Sequence, residues 1–559
     1  MAGIDRSYTL PGLVLLAGML WAAACAGQTA PDTWWVQFTD KDNTPYTLDQ
    51  PEAFLSPRAI QRRQVQGIAM DELDLPVDPA YINAVLALGQ VQLVNRSRWF
   101  NAITIRTDDA AVLDAIQQLP FVQQVRATRR LTGAVPTPPK FQVDAALVER
   151  GGGGDYGVSY LQVAMMNGHL LHELEAKGQG MLIGVLDSGF EDANVLAGFS
   201  ELLDREGIVF TRDMVDHDGD VYQDHWHGRS VLSCMAAVVP GELVGTAPLA
   251  DYALVRTEEV GSEYLVEEDH WISGAEVLDS LGCDILNTSL GYTVFDDSLQ
   301  NHVYEELDGA TIRISIAGGI ASSKGMIPVT SAGNQGAGDW YYISAPADAI
   351  DILAVGAVGA QEQHAWFSSH GPSADGRVKP DVAAMGWGTY GLGVDGTLVE
   401  PLNGTSFSAP LVAGLVACLW QLHPGRTAQD VMDAVRRSAS LWSDPTPELG
   451  YGIPNFMYAH ELLQLGTGMA DEGAGELHVF PVPFSDRLTI LLPSGYSGRA
   501  DIVLHDAMGR QVWSRQGQWI NHGGHIMGDE QLAALGNGLY VLRVRTDAGE
   551  LVRTVVKAP

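Results

Sequence analysis

Met181-Leu182-Ile183-Gly184-Val185-Leu186-Asp187-Ser188-Gly189 is an apolar run that stops on a carboxylate and a glycine. The run reads as a buried strand, which would deliver Asp187 to the C-terminal edge of a parallel sheet, where α/β sites form. Gly189 lets the chain turn away sharply. Similar strand-like runs at 252–255, 284–286 and 327–330 alternate with amphipathic or apolar helical stretches across 156–465. That alternation predicts an α/β fold with helices flanking a parallel sheet.

Three further strings fall at the boundaries of predicted elements. His227-Gly228-Arg229-Ser230 precedes the apolar stretch 231–239, and Asn403-Gly404-Thr405-Ser406-Phe407-Ser408-Ala409-Pro410 opens an apolar helix over 407–422. Ser331-Ala332-Gly333-Asn334 follows the run 327–330. A serine hydroxyl is a weak nucleophile until a base takes its proton, and the base needs a third group to fix its tautomer. Ser406, His227 and Asp187 supply those three chemistries in one chain. A helix start at Ser406 adds a backbone N–H, and Asn334 adds a side-chain amide, as donors to an oxyanion. Singly, such strings are ordinary turns and loop corners; four together at element boundaries are not. An α/β-hydrolase is disfavoured because Gly404-Thr405-Ser406-Phe407-Ser408 lacks glycine two places after the nucleophile.

With the order Asp, His, Ser, residues 156–465 resemble the subtilisin-family serine proteases. Tyr156-Gly157-Val158-Ser159, Ser289-Leu290-Gly291, Phe367-Ser368-Ser369-His370-Gly371-Pro372 and Lys379-Pro380-Asp381-Val382 add to the likeness. The resemblance implies a secreted endopeptidase acting through an acyl-enzyme on Ser406, with His227 as base and Asp187 as its orienting partner. It makes Asn334 and the Ser406 N–H the oxyanion hole, and Ser289, Leu290 and Gly291 the edge that pairs with a peptide substrate. Arg229 stands where threonine is common, which bears on local packing. No cofactor is required, and a structural calcium ion is admitted without named ligands.

The flanking regions read as separate units. Residues 10–26 are apolar and end in small residues, as a signal peptide (1–26) does; they are shorter than the roughly 20 residues of a membrane span. A lipid-modified Cys25 is the alternative. Residues 27–130 alternate strands near 34–38 and 99–105 with helices near 56–66 and 110–119, and resemble the inhibitory propeptide of such enzymes; an accessory domain that stays attached is the other reading. Linkers rich in Pro and Gly follow at 131–155 and 466–475. From 476 to 559 short alternating strands predict a small β-sandwich, with Tyr540, Leu542 and Val544 on one face of a strand and Val541, Arg543 and Arg545 on the other. Val479-Phe480-Pro481-Val482-Pro483-Phe484 and Asn537-Gly538-Leu539-Tyr540 resemble the sorting domains of type IX secretion, which implies that machinery as a partner and a gram-negative cell surface or exterior as destination. An ordinary surface β-sandwich is the other reading.

The 559 residues carry 33 Lys+Arg against 68 Asp+Glu, a formal charge of −35, which leaves nothing to neutralise nucleic-acid phosphates. Cysteines 25, 234, 283 and 418 form no disulfide framework. The carboxylates and imidazoles of 216–227 lack the spacing of a calcium loop or a zinc motif and read as a solvated loop. Glu258, Glu259, Glu263, Glu267, Glu268 and Asp269 read as a solvated acidic face, or more sharply as a wall preferring basic side chains upstream of a cut. Against the peptidase stands one different class, a surface binding module that keeps the fold without turnover.

Overall fold

The computed structural model describes residues 31–130, 154–465 and most of 477–558. The expected leader, residues 131–153 of the first linker and the linker 466–475 lie outside the described residues. In the N-terminal unit, β1 (Pro31–Phe38), β2 (Gln92–Ser97), β3 (Ala102–Arg106) and β4 (Val122–Arg130) form an antiparallel sheet in the order β2-β3-β1-β4. Val36, Phe38, Ile103 and Ile105 bury one face of it against Ile82 and Val85 of the helix Pro79–Leu86, and Val112 and Ile116 of the helix Ala110–Gln117. The strand expected over 99–105 begins only at Ala102. Trp99, Phe100 and Asn101 instead form the turn from β2, with Asn101 at φ 49°, and the turn serves docking, as described below.

Next come β5 (Leu182–Asp187), β6 (Ile208–Asp213), a short hairpin of β7 (Val238–Val239) and β8 (Leu243–Val244), β9 (Asp251–Arg256), β10 (Ile285–Thr288), β11 (Ile327–Ser331), β12 (Leu353–Val358) and β13 (Val382–Met385). Seven of these make one parallel sheet in the order β13-β12-β11-β10-β5-β9-β6. The buried helix Thr405–Gln421 packs on one face, with Trp226–Ala236 beside it; Val266–Leu281 and Arg313–Ser323 cover the other. With both faces covered, β5, β10, β11, β12 and β13 are buried throughout, which is why they read as unbroken apolar runs. The chain leaves β5 for the far edge at β6, returns through β9, and then crosses to the opposite side of β5 as β10. That reversal opens a crevice at the carboxyl ends of β5 and β10.

The C-terminal region has a three-stranded sheet (His478–Phe480, Arg487–Leu491, His525–Gly528) and a four-stranded one (Gln511–Ile520, Gly498–Asp506, Gly538–Thr546, Gly549–Lys557), both antiparallel. One core draws on both: Val479, Leu488 and Ile490 from the first, Leu504, Trp513, Leu542 and Val544 from the second. Tyr540, Leu542 and Val544 are buried while Arg543 and Arg545 are exposed, as their alternation predicts. Among the described residues no helix is long and apolar enough to cross a membrane.

The N-terminal unit docks on the helix Val266–Leu281 through buried charge. Asp279 takes the guanidinium groups of Arg62, Arg63 and Arg98, and Arg63 continues to Asp74, which bonds Lys324. Glu276 accepts from Ser97 Oγ at 2.5 Å and from the backbone N–H groups of Arg98 and Trp99 at 2.7 and 3.1 Å, so one carboxylate holds the β2–β3 turn. Trp99 thereby enters the core beneath the helix.

Candidate active site

Asp187 ends β5 in full burial, and His227 sits in the first turn of the helix Trp226–Ala236. His227 Nδ1 lies 2.7 Å from Asp187 Oδ1, which also accepts the Ser188 N–H at 2.8 Å. This contact depends on two glycines. At φ 136°, Gly189 turns the chain where a Cβ would lie 2.7 Å from the His225 nitrogen. A Cβ on Gly228 would fall 2.3 Å from the Gly189 carbonyl oxygen and 2.8 Å from Asp187 Cβ, so its absence lets helix and strand end touch. The neighbouring Arg229 is buried, its guanidinium bonded to the Glu191, Gly393 and Val394 carbonyls at 3.1, 2.8 and 2.6 Å. It ties the loop after β5 to the hairpin of Trp387–Leu392 and Val399–Asn403 without disturbing His227.

Ser406 is the second residue of the helix Thr405–Gln421, so its N–H lies ahead of the intrahelical ladder. Its hydroxyl donates to the Ser289 carbonyl at 3.1 Å, while Ser289 Oγ donates to the Ser406 carbonyl at 2.8 Å. This reciprocal pair fastens the serine to the segment leaving β10. Phe407, the next residue, brings its ring to 5.7 Å from that of His227, centroid to centroid. Asn334 accepts the Thr405 N–H and Oγ–H at its Oδ1, both at 2.9 Å. With that oxygen held, the amide NH2 turns away from Thr405 and lies 3.6 Å from where a Cβ on Gly404 would be. Asn334 and the start of the Ser406 helix thus form one hydrogen-bonded unit.

Ser289, Leu290 and Gly291 continue beyond β10, and Ala332 and Gly333 continue beyond its neighbour β11, which ends on Ser331. Ser331 Oγ donates to the Leu290 carbonyl at 3.3 Å, and Tyr292 exchanges backbone hydrogen bonds with Ala345. The Ser344 N–H donates to the Ala332 carbonyl, so residues 344–345 bridge the two extensions. Ser344 Oγ faces both Gly291 and Gly333; it is buried and has no hydrogen-bond partner among the described residues.

The solvated reading of the acidic run is overturned, because Glu258, Glu267, Glu268 and Asp269 are all buried. Glu258 accepts from the Tyr292 hydroxyl, Glu267 from the Glu259 N–H, Glu268 pairs with His302, and Asp269 accepts from Thr104 of β3. Much of the run is docking face and loop scaffold. Arg129 of β4 comes within 3.9 Å of Glu259 and lies over the Tyr264 ring. Carboxylate oxygens of Glu258, Glu263 and Glu267 lie within 4.8 Å of one another, the one convergence of metal-capable side chains among the described residues. In the loop of 216–227, Asp216 and Asp224 pair with Arg256 at 2.7 and 3.3 Å.

Thr405, Ser188, His225 and Ser344 escaped the sequence reading as site residues. Thr405 lay inside the most specific string, and the pattern carried no sign of its partner.

Residues 178–460, just over half of the chain, match the model of the subtilase family, and residues 33–142 match that of the peptidase S8 propeptide domain of Bacteroidota. Serine protease AprX of Bacillus subtilis (strain 168) is 27% identical over 326 residues, covering 53% of this chain and 69% of that protein. Subtilisin E of the same strain is 29% identical over 293 residues, covering 51% of this chain and 66% of that one. Among solved structures, MycP1 from the ESX-1 type VII secretion system aligns with a TM-score of 0.45 and 19% identity, over 58% of this chain and 90% of that one.

Proposed function

The chain belongs to the subtilase family and is a subtilisin-family serine peptidase with an N-terminal propeptide domain; from that premise we propose that it is a secreted endopeptidase acting through Asp187, His227 and Ser406. The observation that carries the reading is the buried Asp187–His227 hydrogen bond at the sheet's crossover, with Ser406 opening the helix beside it. Turning the Ser406 hydroxyl from the Ser289 carbonyl toward His227 passes its proton to the imidazole as the oxygen attacks a peptide carbonyl. Asp187 holds the imidazole's tautomer and stabilises the imidazolium. The oxyanion receives the Asn334 amide and the Ser406 N–H, both fixed before substrate arrives. His227 then returns the proton to the leaving amine, and water repeats the sequence to free the acyl group. These steps need no cofactor, and a calcium ion would serve the scaffold only.

Substrate backbone would pair with Ser289, Leu290 and Gly291, and the side chain upstream of the cut would enter between Gly291 and Gly333 above Ser344. The propeptide acts as the inhibitor of the precursor. We assign the leader 1–26 to export and the C-terminal sheets to type IX sorting at a gram-negative surface. Fluorophosphonate labelling of the secreted protein and of Ser406→Ala, with intact masses, tests the reading. Labelling of the wild type alone, at a mass without the N-terminal unit, is expected. A folded, processed wild type that takes no label would instead support the binding module.

A further inference from the structure

One side chain touches both the turn after Asp187 and the helix of His227. His225 Nδ1 lies 2.9 Å from Ser188 Oγ and accepts the His227 N–H at 3.4 Å, so that it caps the helix Trp226–Ala236. Ser188 Oγ is in turn 3.1 Å from Asp187 Oδ1. A hydroxyl carries a single proton, so Ser188 donates to the imidazole or to the carboxylate, never to both. The capping contact requires Nδ1 as an acceptor, which makes the imidazole the taker of the Ser188 proton.

We propose that His225 is a positioning residue of the triad: it fixes the start of the His227 helix and draws the Ser188 proton away from Asp187, leaving the carboxylate's charge to His227. The inference rests on the proposed roles of Asp187, His227 and Ser406. The groups around His225 agree with it. The Trp226 and His227 rings lie 5.3 and 6.5 Å away, centroid to centroid, and Asp187 and Arg229 also act on its charge, while Asp224 precedes it in the chain and the Glu191 N–H donates to its carbonyl. Burial first, then His227 and Arg229, hold the pKa of His225 down at about 4 against the pull of Asp187. The ring is therefore neutral through the working range of a His227 base, and its lone pair stays available.

The test compares the wild type with His225→Ala, His225→Asn, Ser188→Ala and the double alanine variant. Fluorophosphonate labelling rates are followed from pH 5 to 9, with kcat and KM on a peptide substrate. Loss of the imidazole is expected to slow labelling and kcat by roughly five- to tenfold, the worth of one aligned hydrogen bond, at unchanged KM. The acid limb of the profile should move to lower pH, because the released Ser188 proton turns onto Asp187 and weakens its hold on the imidazolium. Asparagine, whose Oδ1 accepts both donors, should recover most of the rate. In the Ser188→Ala background, removing His225 should add no shift of the limb; solvent admitted by the missing ring is common to both backgrounds and cancels. A wild-type rate and limb in His225→Ala, an equal shift in the Ser188→Ala background, or an asparagine variant no better than alanine would each overturn the proposal. A wild type that never labels would overturn the triad reading, and this inference with it.

Discussion

Replacing Gly228 with alanine places one methyl group where the His227 helix meets the end of β5. The new Cβ would stand 2.3 Å from the Gly189 carbonyl oxygen. A relaxed carbon–oxygen contact is at least about 3.2 Å, so the helix must retreat by about 0.9 Å. Flanking backbone leaves no flexible side chain to yield instead. His227 rides on that helix, and its 2.7 Å contact with Asp187 would open to about 3.6 Å, beyond hydrogen-bond geometry. A misplacement near 1 Å costs roughly 100-fold, and full loss of the orienting carboxylate up to about 10,000-fold. We therefore expect kcat to fall between those limits while KM holds, because residues 289–291 are untouched. Peptide hydrolysis and fluorophosphonate labelling read the loss, and a thermal melt checks that the fold survives an overpacking cost of about 1–3 kcal/mol. A folded variant that keeps its rate within about threefold, a barrier change under about 0.7 kcal/mol, would refute the argument that this close approach sets the His227 geometry.

Asn334→Ala should lower kcat by about 100- to 1,000-fold with little change in KM, a range taken over from an oxyanion donor in a related subtilisin; unchanged turnover would remove Asn334 from the hole. In a full chain carrying Ser406→Ala, adding Asp279→Ala should loosen the docked N-terminal unit by about 3–5 kcal/mol at pH 7, the cost of breaking a buried ion pair. Amide exchange in β2 and in the helix Pro57–Gln66 reports it, and unaltered protection would count against the network. The effect depends on pH in a stated direction. Burial pushes Asp279 up, but Arg62, Arg98 and Arg63 together outweigh it and leave its pKa at about 2. A carboxyl lowered by docking stabilises fully above its undocked value near 3.9 and loses that contribution as pH falls toward the docked one. The difference between the two chains should accordingly shrink between about pH 4 and pH 2.

Local sequence carried the parallel sheet and the placement of Asp187, His227 and Ser406 at element boundaries. Each lies at the end of an apolar run or the start of a helix, and burial periodicity and glycine placement are properties of a few consecutive residues. The alternation of Tyr540, Leu542 and Val544 with arginines was legible for the same reason. Contacts across the chain were not. Thr405 meets Asn334, and Asp279 meets Arg62, Arg63 and Arg98, only because the sheet order brings distant segments together. The acidic run 258–269 shows where this matters most: a row of carboxylates looks solvated until another unit covers it. Trp99 likewise read as part of a strand, although burial against the helix Val266–Leu281 makes it a docking turn. Sequence by itself determined which residues end the buried strands and open the helices around the candidate site. Tertiary structure decided which partner holds each of them, because a charge or a hydroxyl has no preferred neighbour until the fold excludes water and limits the choice.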